Sequence, residues 1–515
     1  MSDSDDRRLG MDRPISRRDF LDGLAIAAGG SLLAFGCRPA KREVPFAPER
    51  APGYYPPALT GLRGNHPGSF EVAHQLRDGT LWQTLGRPRD TGERYDLVVV
   101  GAGISGLAAA HFFRKARGAG AAILLLDNHD DVGGHAKRNE FAVDGRVLVS
   151  HGGTESIESP AQYSEVARAL LADLGIDLQR FYTSFDQHRY QRLGLGDGTF
   201  FDRETFGADR LLTGGMDDVS RTFLAKAPLP AAARSDIFRL YHSAKDYLPG
   251  LSSAEKKALL ARMSYRDFLL NVVKVIPAAI PFFQTRTHDL YGVGIDAVSA
   301  LDCWGLEFPG FEGLQLDDGP SPGIGRTPLL QMQEEEPYIF HFPDGNASVA
   351  RLLLRRLLPQ ALPGHTMQDV VTARLDYARL DNDAASARAR VRLNSTVVRV
   401  RHVGDSGSAR EVEVTYVRGG QAWTVRAGAC VLACWNMVIP YLCPELPERQ
   451  KQALAYEVKV PLIYANAALR NWRPFQKLGV SEVFAPGSYY VQTFLDFPVD
   501  LGDYKSSHTP RSQSS

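Results

Sequence analysis

The stretch Leu97-Val98-Val99-Val100-Gly101-Ala102-Gly103-Ile104-Ser105-Gly106-Leu107 decides the fold. Leu97–Val100 is an unbroken apolar run rich in β-branched residues, the pattern of a parallel strand buried on both faces. Three glycines in the spacing Gly-x-Gly-x-x-Gly follow at once. Leu107–Lys115 then has helical character, and Ile123–Leu126 predicts a second strand ending in Asp127. Each part has a physical task in a dinucleotide-binding βαβ unit. Gly101 allows the tight turn, Gly103 lets a diphosphate approach the backbone, and Gly106 lets helix and strand pack closely. The helix N-terminus, with Ile104 and Ser105, offers unpaired amides to phosphate oxygens. Asp127 lies 21 residues beyond Gly106, where a carboxylate can accept bonds from ribose hydroxyls. Strand, turn, helix, strand and acid in this order are far more specific than the glycines alone.

Working outward, Asp127 and Asn128 are followed by Gly133-Gly134-His135. An acid, five residues and a glycine doublet resemble the flavoenzymes that include the amine oxidases, which favours FAD over NAD. Phe141–Val143 and Arg146–Val149 flank Asp144-Gly145, the dipeptide of a two-residue hairpin turn. That hairpin is expected to deliver Gly152-Gly153-Thr154-Glu155-Ser156 to the flavin region. Far downstream, Ser395–Val400 and Cys430–Cys434 have the character of strands returning to this domain. Between them Val412, Val414 and Tyr416 alternate with polar residues, and Gly419-Gly420 predicts another hairpin turn. The fold class is therefore α/β: an FAD-binding Rossmann-like domain of the glutathione reductase type with a mixed α+β substrate domain.

Several stretches resemble the flavin amine oxidase superfamily and, more narrowly, bacterial spermidine dehydrogenases carrying FAD and haem b. They are Leu62-Arg63-Gly64-Asn65-His66-Pro67-Gly68-Ser69-Phe70-Glu71-Val72-Ala73-His74, the glycine fingerprint, Gly152-Gly153-Thr154-Glu155, Ala300-Leu301-Asp302-Cys303-Trp304, Phe342-Pro343-Asp344-Gly345-Asn346-Ala347-Ser348 and Ala468-Leu469-Arg470-Asn471-Trp472. The resemblance implies FAD, oxidation of a secondary amine by hydride transfer, and hydrolysis of the resulting imine. It implies that backbone near Val398 meets the adenine. A polyamine keeps its remote ammonium groups charged and favours carboxylates in its pocket. Glu155 is the first candidate and Glu158 the second; the alternative for Glu155 is a helix cap or an acceptor of backbone amides. Trp435, after the returning strand, is a candidate to stack near the flavin, whereas Asp302 and Trp304 suit a core. The electron acceptor is not specified. His66 and His74 are the candidate haem iron ligands, since imidazole is a common axial ligand; a packing or surface role is the alternative for each. Two other readings stay open: another reaction of the same superfamily, such as amino-acid oxidation or carotenoid desaturation, and a flavin-fold protein that binds without turnover.

The whole chain, 515 residues, is long enough for more than one lobe. Lys+Arg and Asp+Glu both total 59, a balance that argues against a nucleic-acid partner. Five cysteines suggest no paired framework, and Cys430 and Cys434 suit buried thiols better than a metal or redox pair. Ser16-Arg17-Arg18-Asp19-Phe20-Leu21 before a Gly- and Ala-rich apolar run resembles a twin-arginine signal. The run is short of the roughly 20 residues of a membrane span. This implies export by the twin-arginine machinery to the periplasm, with lipidation at Cys37 a lesser alternative. The expected layout is a signal over 1–37, an extended arm over 38–93, FAD-binding parts over 94–160 and 346–440, and a substrate lobe over 161–345 that resumes at 441–504. Within it, Tyr163–Leu174 and Ala254–Val273 are expected helices. The serine-rich segment 505–515 is expected to be disordered. The resemblance makes the chain look C-terminally truncated, with poor FAD retention and little activity as the expected consequence.

Overall fold

The computed structural model describes residues 47–214, 219–319, 321–333, 336–381 and 388–512. The signal segment and Cys37 lie outside them. Among the described residues the strands are β1 (Arg89–Val100), β2 (Ile123–Leu126), β3 (Arg138–Val143), β4 (Arg146–His151), β5 (Gly196–Phe201), β6 (Arg210–Thr213), β7 (Ala389–Arg392), β8 (Thr396–His402), β9 (Val412–Arg418), β10 (Gln421–Leu432), β11 (Val480–Phe484) and β12 (Gln492–Phe494). The protein divides into two compact units, one of residues up to Val132 with Asp376–Pro447, the other of Gly133–Leu375 with Glu448–Ser515.

The first unit is built on a six-stranded sheet ordered β7-β2-β1-β10-β9-β8. Its four-strand parallel core pairs β1 with β2, β1 with β10 and β2 with β7. Leu97–Val100 are fully enclosed, while the earlier half of β1 alternates in exposure. The apolar run therefore marks where the strand passes from the sheet's edge into its centre. Helix α1 (Ile104–Arg117) follows the glycine turn, buries Gly106, Leu107 and Ala110 on one face, and stops at Gly118 with φ +94°. β8, β9 and β10 form an antiparallel extension. Its β9–β10 turn is Gly419-Gly420, both at positive φ as such a turn requires.

The N-terminal arm is clamped at Glu49 and Tyr54. Glu49, fully enclosed, pairs with Arg418, and Tyr54 donates to the Asp130 carbonyl at 2.5 Å. A short helix runs over Glu71–Arg77, and the Glu71 carboxylate accepts the Gly68 amide at 2.8 Å.

The second unit holds the β3–β4 hairpin, turned at Asp144-Gly145 with both residues at positive φ. It also holds a four-stranded sheet ordered β12-β11-β5-β6. The expected helix Tyr163–Leu174 runs over Glu165–Asp173, capped by the Ser164 hydroxyl. The expected helix Ala254–Val273 is broken: Ser253–Leu260 ends near Ala261, and Ser264 caps a new turn that runs into the wider coil Phe268–Val273. The tail also differs from expectation over 505–512. Arg189 donates to the Ser506 hydroxyl at 2.6 Å, Trp472 Nε1 to the Ser507 hydroxyl at 2.7 Å, and the Trp472 amide to the Pro510 carbonyl at 3.1 Å. A serine-rich tail cannot bury apolar area of its own, but its hydroxyls satisfy a buried arginine and a buried indole, and that orders it.

Candidate functional site

The glycine turn in the first unit leaves no room for side chains. Gly101 has φ +104°, and a Cβ there would stand 2.3 Å from the Ala433 carbonyl oxygen. A Cβ on Gly106 would stand 1.9 Å from the Gly101 carbonyl oxygen. Gly103 is the extended N-cap of α1, with no side-chain cap on the helix. The amides at Ile104 and Ser105 thus start a 14-residue helix whose positive end suits an anion. Asp127, buried at the end of β2, accepts the Ala102 amide on Oδ2 at 2.7 Å and the His129 amide on Oδ1 at 2.8 Å. The carboxylate is thereby oriented beside the turn. A turn that excludes a Cβ at Gly101 and at Gly106, a helix start and an adjacent fixed acid fit a dinucleotide diphosphate and ribose.

The second unit carries a different arrangement. Gly133 has φ +105°, and a Cβ there would stand 2.4 Å from the Ala136 carbonyl oxygen. The hairpin continues past β4: the Gly152 amide donates to the Lys137 carbonyl at 2.8 Å and the Gly153 amide to the His135 carbonyl at 2.9 Å. Glu155 follows. Its Oε1 lies 3.0 Å from His151 Nε2, and its Oε2 accepts the Tyr338 hydroxyl at 3.2 Å. Burial pushes the Glu155 carboxyl up, but the hydrogen bond and charge of His151, with the Tyr338 hydroxyl, outweigh it and hold the acid below its usual range. Gly345, at φ +60°, packs against Thr154 and Glu155, and Asn346 Nδ2 donates to the Ser156 carbonyl at 2.8 Å.

Aromatic rings pack around the Glu155–His151 pair. His151 stacks on Phe494 with a 10° interplanar angle and has Tyr464 and Phe497 edge-on or tilted at 6.3 Å. His341 lies 4.3 Å from Phe497 and 5.7 Å from His151. It is fully enclosed, and neither ring nitrogen has a partner in hydrogen-bond geometry. Burial, reinforced by the nearby His151, pushes its imidazole down to about 3, only partly offset by Glu155 and the Phe342 backbone. Asp289, an exposed residue, is pushed up by desolvation and, less, by the charge of Glu155, against backbone amides and Arg286.

Residues 99–174 match the NAD(P)-binding Rossmann-like domain family. The Rossmann-like match begins inside β1 and takes in the fingerprint, Asp127 and the hairpin. No curated protein matches the chain. Among solved structures, a wild-type putrescine oxidase bound to putrescine aligns over 78% of this chain and 72% of its own, at 19% identity and a TM-score of 0.42. A fatty acid isomerase from P. acnes, described as producing CLA, aligns over 76% and 70%, at 12% identity and a TM-score of 0.35.

The remaining expected residues fall as follows. Asn128 Nδ2 donates to the Ser69 carbonyl, so its amide fastens the segment before it. Val398 is fully buried in β8, beside a register irregularity between Val397 and Arg399. His135 and Glu158 are exposed, Gly134 is half-buried at φ +62°, and Trp435 is 53% exposed after β10. No helix starts at Glu155, so its expected alternative as a cap does not apply. His66 is buried with Nε2 3.1 Å from Asp130 and Nδ1 3.0 Å from the Pro67 carbonyl. An axial ligand needs a free ring nitrogen, and this arrangement leaves none, so His66 does not fit a haem. His74 is exposed and tilted against Phe70 at 5.3 Å. Cys430 and Cys434 are thiols that burial pushes up to about 12. His151, Tyr338, His341, Tyr464 and Asp289 were not singled out in the sequence; a histidine four residues before Glu155 was the only local signal.

Proposed function

We propose that the protein is an FAD-dependent amine dehydrogenase or oxidase acting on a polyamine-type, spermidine-like secondary amine. The observation that carries this is the Glu155 carboxylate, held ionised by His151 and Tyr338 within a wall of aromatic rings. An acid that stays charged while largely enclosed has its best external partner in an ammonium, and aromatic faces add to that attraction. The fingerprint glycines and Asp127 support the dinucleotide. FAD, when bound, supplies a two-electron acceptor for a hydride from the carbon next to the amine nitrogen. The chain's own part is to bind and orient the amine: Glu155 takes the charged end, Tyr338 and His151 fix its two oxygens, and Phe494 and Phe497 exclude water behind them.

The test is a visible spectrum followed by addition of spermidine, which carries a secondary amine, without oxygen. Flavin bands that bleach with the amine are the expected result. Glu155→Gln should lower kcat/KM by about 1.5–3 kcal/mol, on the order of ten- to a hundredfold, with flavin content unchanged. A change under about twofold, on the same scale, would reduce Glu155 to a structural residue.

We further propose export through the twin-arginine route, which rests on Arg17-Arg18 before the short apolar run. No helix among the described residues is long and apolar enough to cross a membrane. Changing both arginines to lysine should hold the protein in the cytoplasm, and undiminished export on cell fractionation would reject the route.

A further inference from the structure

Asp127 is held from two sides. One oxygen accepts the Ala102 amide at 2.7 Å, within the glycine turn, and the other accepts the His129 amide at 2.8 Å. The second bond lasts only while segment 127–131, which leaves β2 as irregular chain, keeps its course. The N-terminal arm of the same unit fixes that course. Arg63 donates to Asp130 Oδ2, His66 Nε2 stands 3.1 Å from Asp130 Oδ1, and the His66 and His129 rings meet edge-on at 5.2 Å. Asn128 Nδ2 donates to the Ser69 carbonyl, and Tyr54 donates to the Asp130 carbonyl at 2.5 Å.

The exposure of the arm follows these contacts. Arg63, His66 and Ser69, every third residue, are covered, while the residues between them are exposed. The His66 carbonyl accepts the Ser69 amide at 3.0 Å and the Ser69 hydroxyl at 2.6 Å, a turn that keeps the three on one side. Burial pushes the Asp130 carboxyl up, but the hydrogen bonds and charges of His66 and Arg63 outweigh it and hold the acid far below its usual range. The lock therefore stays ionised at neutral pH. A chain with so little apolar area is ordered by its polar contacts, and here those contacts converge on the segment behind the ribose acid.

We propose that arm 54–69 is a positioning element for the ribose of the bound dinucleotide, with the Arg63–Asp130–His66 cluster as its lock and Asp127 as the residue through which it acts. This rests on the FAD reading above. A carboxylate whose support can wander must be ordered as the ligand binds, and that ordering subtracts from affinity. The arm completes the ordering in advance. Asp130 does not meet the ribose itself, since Arg63 and His66 occupy its carboxylate.

The experiment uses full-length protein stripped of flavin. FAD affinity is read by quenching of flavin fluorescence, and ADP affinity, which isolates the ribose half, by competition with FAD. Arg63→Met and Tyr54→Phe are each measured alone and combined with Asp127→Asn. Asp127→Asn should weaken ADP at least about tenfold, as for loss of a charged hydrogen bond. Arg63→Met should weaken FAD and ADP about five- to tenfold and Tyr54→Phe about three- to fivefold, and Arg63→Lys should recover most of the first loss. On the Asp127→Asn background each should add less than about twofold, because residues that act through a shared partner are not additive. Thermal scans of the flavin-free variants show that each is folded at the temperature of measurement; if Arg63→Met is not, the same comparison on Tyr54→Phe decides. Unchanged ADP affinity in the arm variants overturns the proposal and leaves the FAD reading standing. A loss of equal size with and without Asp127→Asn also overturns it, because the arm then acts by loosening the fold in general. Wild type that binds neither FAD nor ADP overturns both.

Discussion

Gly106→Ala should purify without flavin and melt several degrees lower than wild type. The added carbon would stand 1.9 Å from the Gly101 carbonyl oxygen, 3.0 Å from its carbonyl carbon and 3.2 Å from a Val99 methyl. The first two are backbone atoms, so no side-chain rotation relieves the contact. The helix start must lift away from the end of β1, which spoils the amide geometry that a diphosphate needs. Overpacking of this kind costs about 1–3 kcal/mol, and at roughly 2–4 °C per kcal/mol for units of this size the melting shift is about 5 °C. The checks are the ratio of flavin to protein absorbance and a thermal scan. Stoichiometric flavin in this variant would show that the turn does not hold the cofactor.

The second large effect is acid instability arising at His341. Burial lowers this imidazole to about 3, with the charge of His151 adding to it and the Glu155 carboxylate opposing it. The groups facing it are His151, Glu155 and the rings of Phe185 and Phe497. In the unfolded chain a histidine titrates near 6.5, so below that pH the unfolded state binds a proton that the folded state refuses. The stabilisation from keeping His341 neutral is complete above about pH 6.5 and is lost as pH falls toward 3. Each pH unit costs about 1.4 kcal/mol, hence about 2 kcal/mol between pH 6.5 and 5. The Glu155 carboxyl, held low, adds its own loss only as pH falls through its ordinary carboxylate value and below, so it does not contribute between about pH 6.5 and 5. His341→Leu should remove the upper window. Urea unfolding at pH 7.5, 6 and 5 would show wild type losing stability faster than the variant; parallel curves would mean that His341 is not the group that titrates.

These two effects differ in how they could be found. Gly106 is legible from its place in the Gly-x-Gly-x-x-Gly spacing, because the constraint lies between residues five apart in the chain. The Asp144-Gly145 and Gly419-Gly420 turns are legible for the same reason: positive φ is a property of the residue and its neighbours. The burial of β1 could be read from its run of apolar residues. His341 could not be singled out, since nothing local distinguishes it from a surface histidine; its enclosure comes from Phe185 and Phe497, which reach it from distant segments.

What the sequence determined by itself is therefore the βαβ unit, its glycine turn, the fixed acid and the hairpins, all set by short-range sterics and periodicity. Tertiary structure alone decided that Tyr338, 183 residues away, shares the Glu155 carboxylate. It also decided that Arg189 and Trp472 order a serine-rich tail. These outcomes depend on which distant groups satisfy one another once water is excluded, and that competition among partners leaves no local trace in the order of residues.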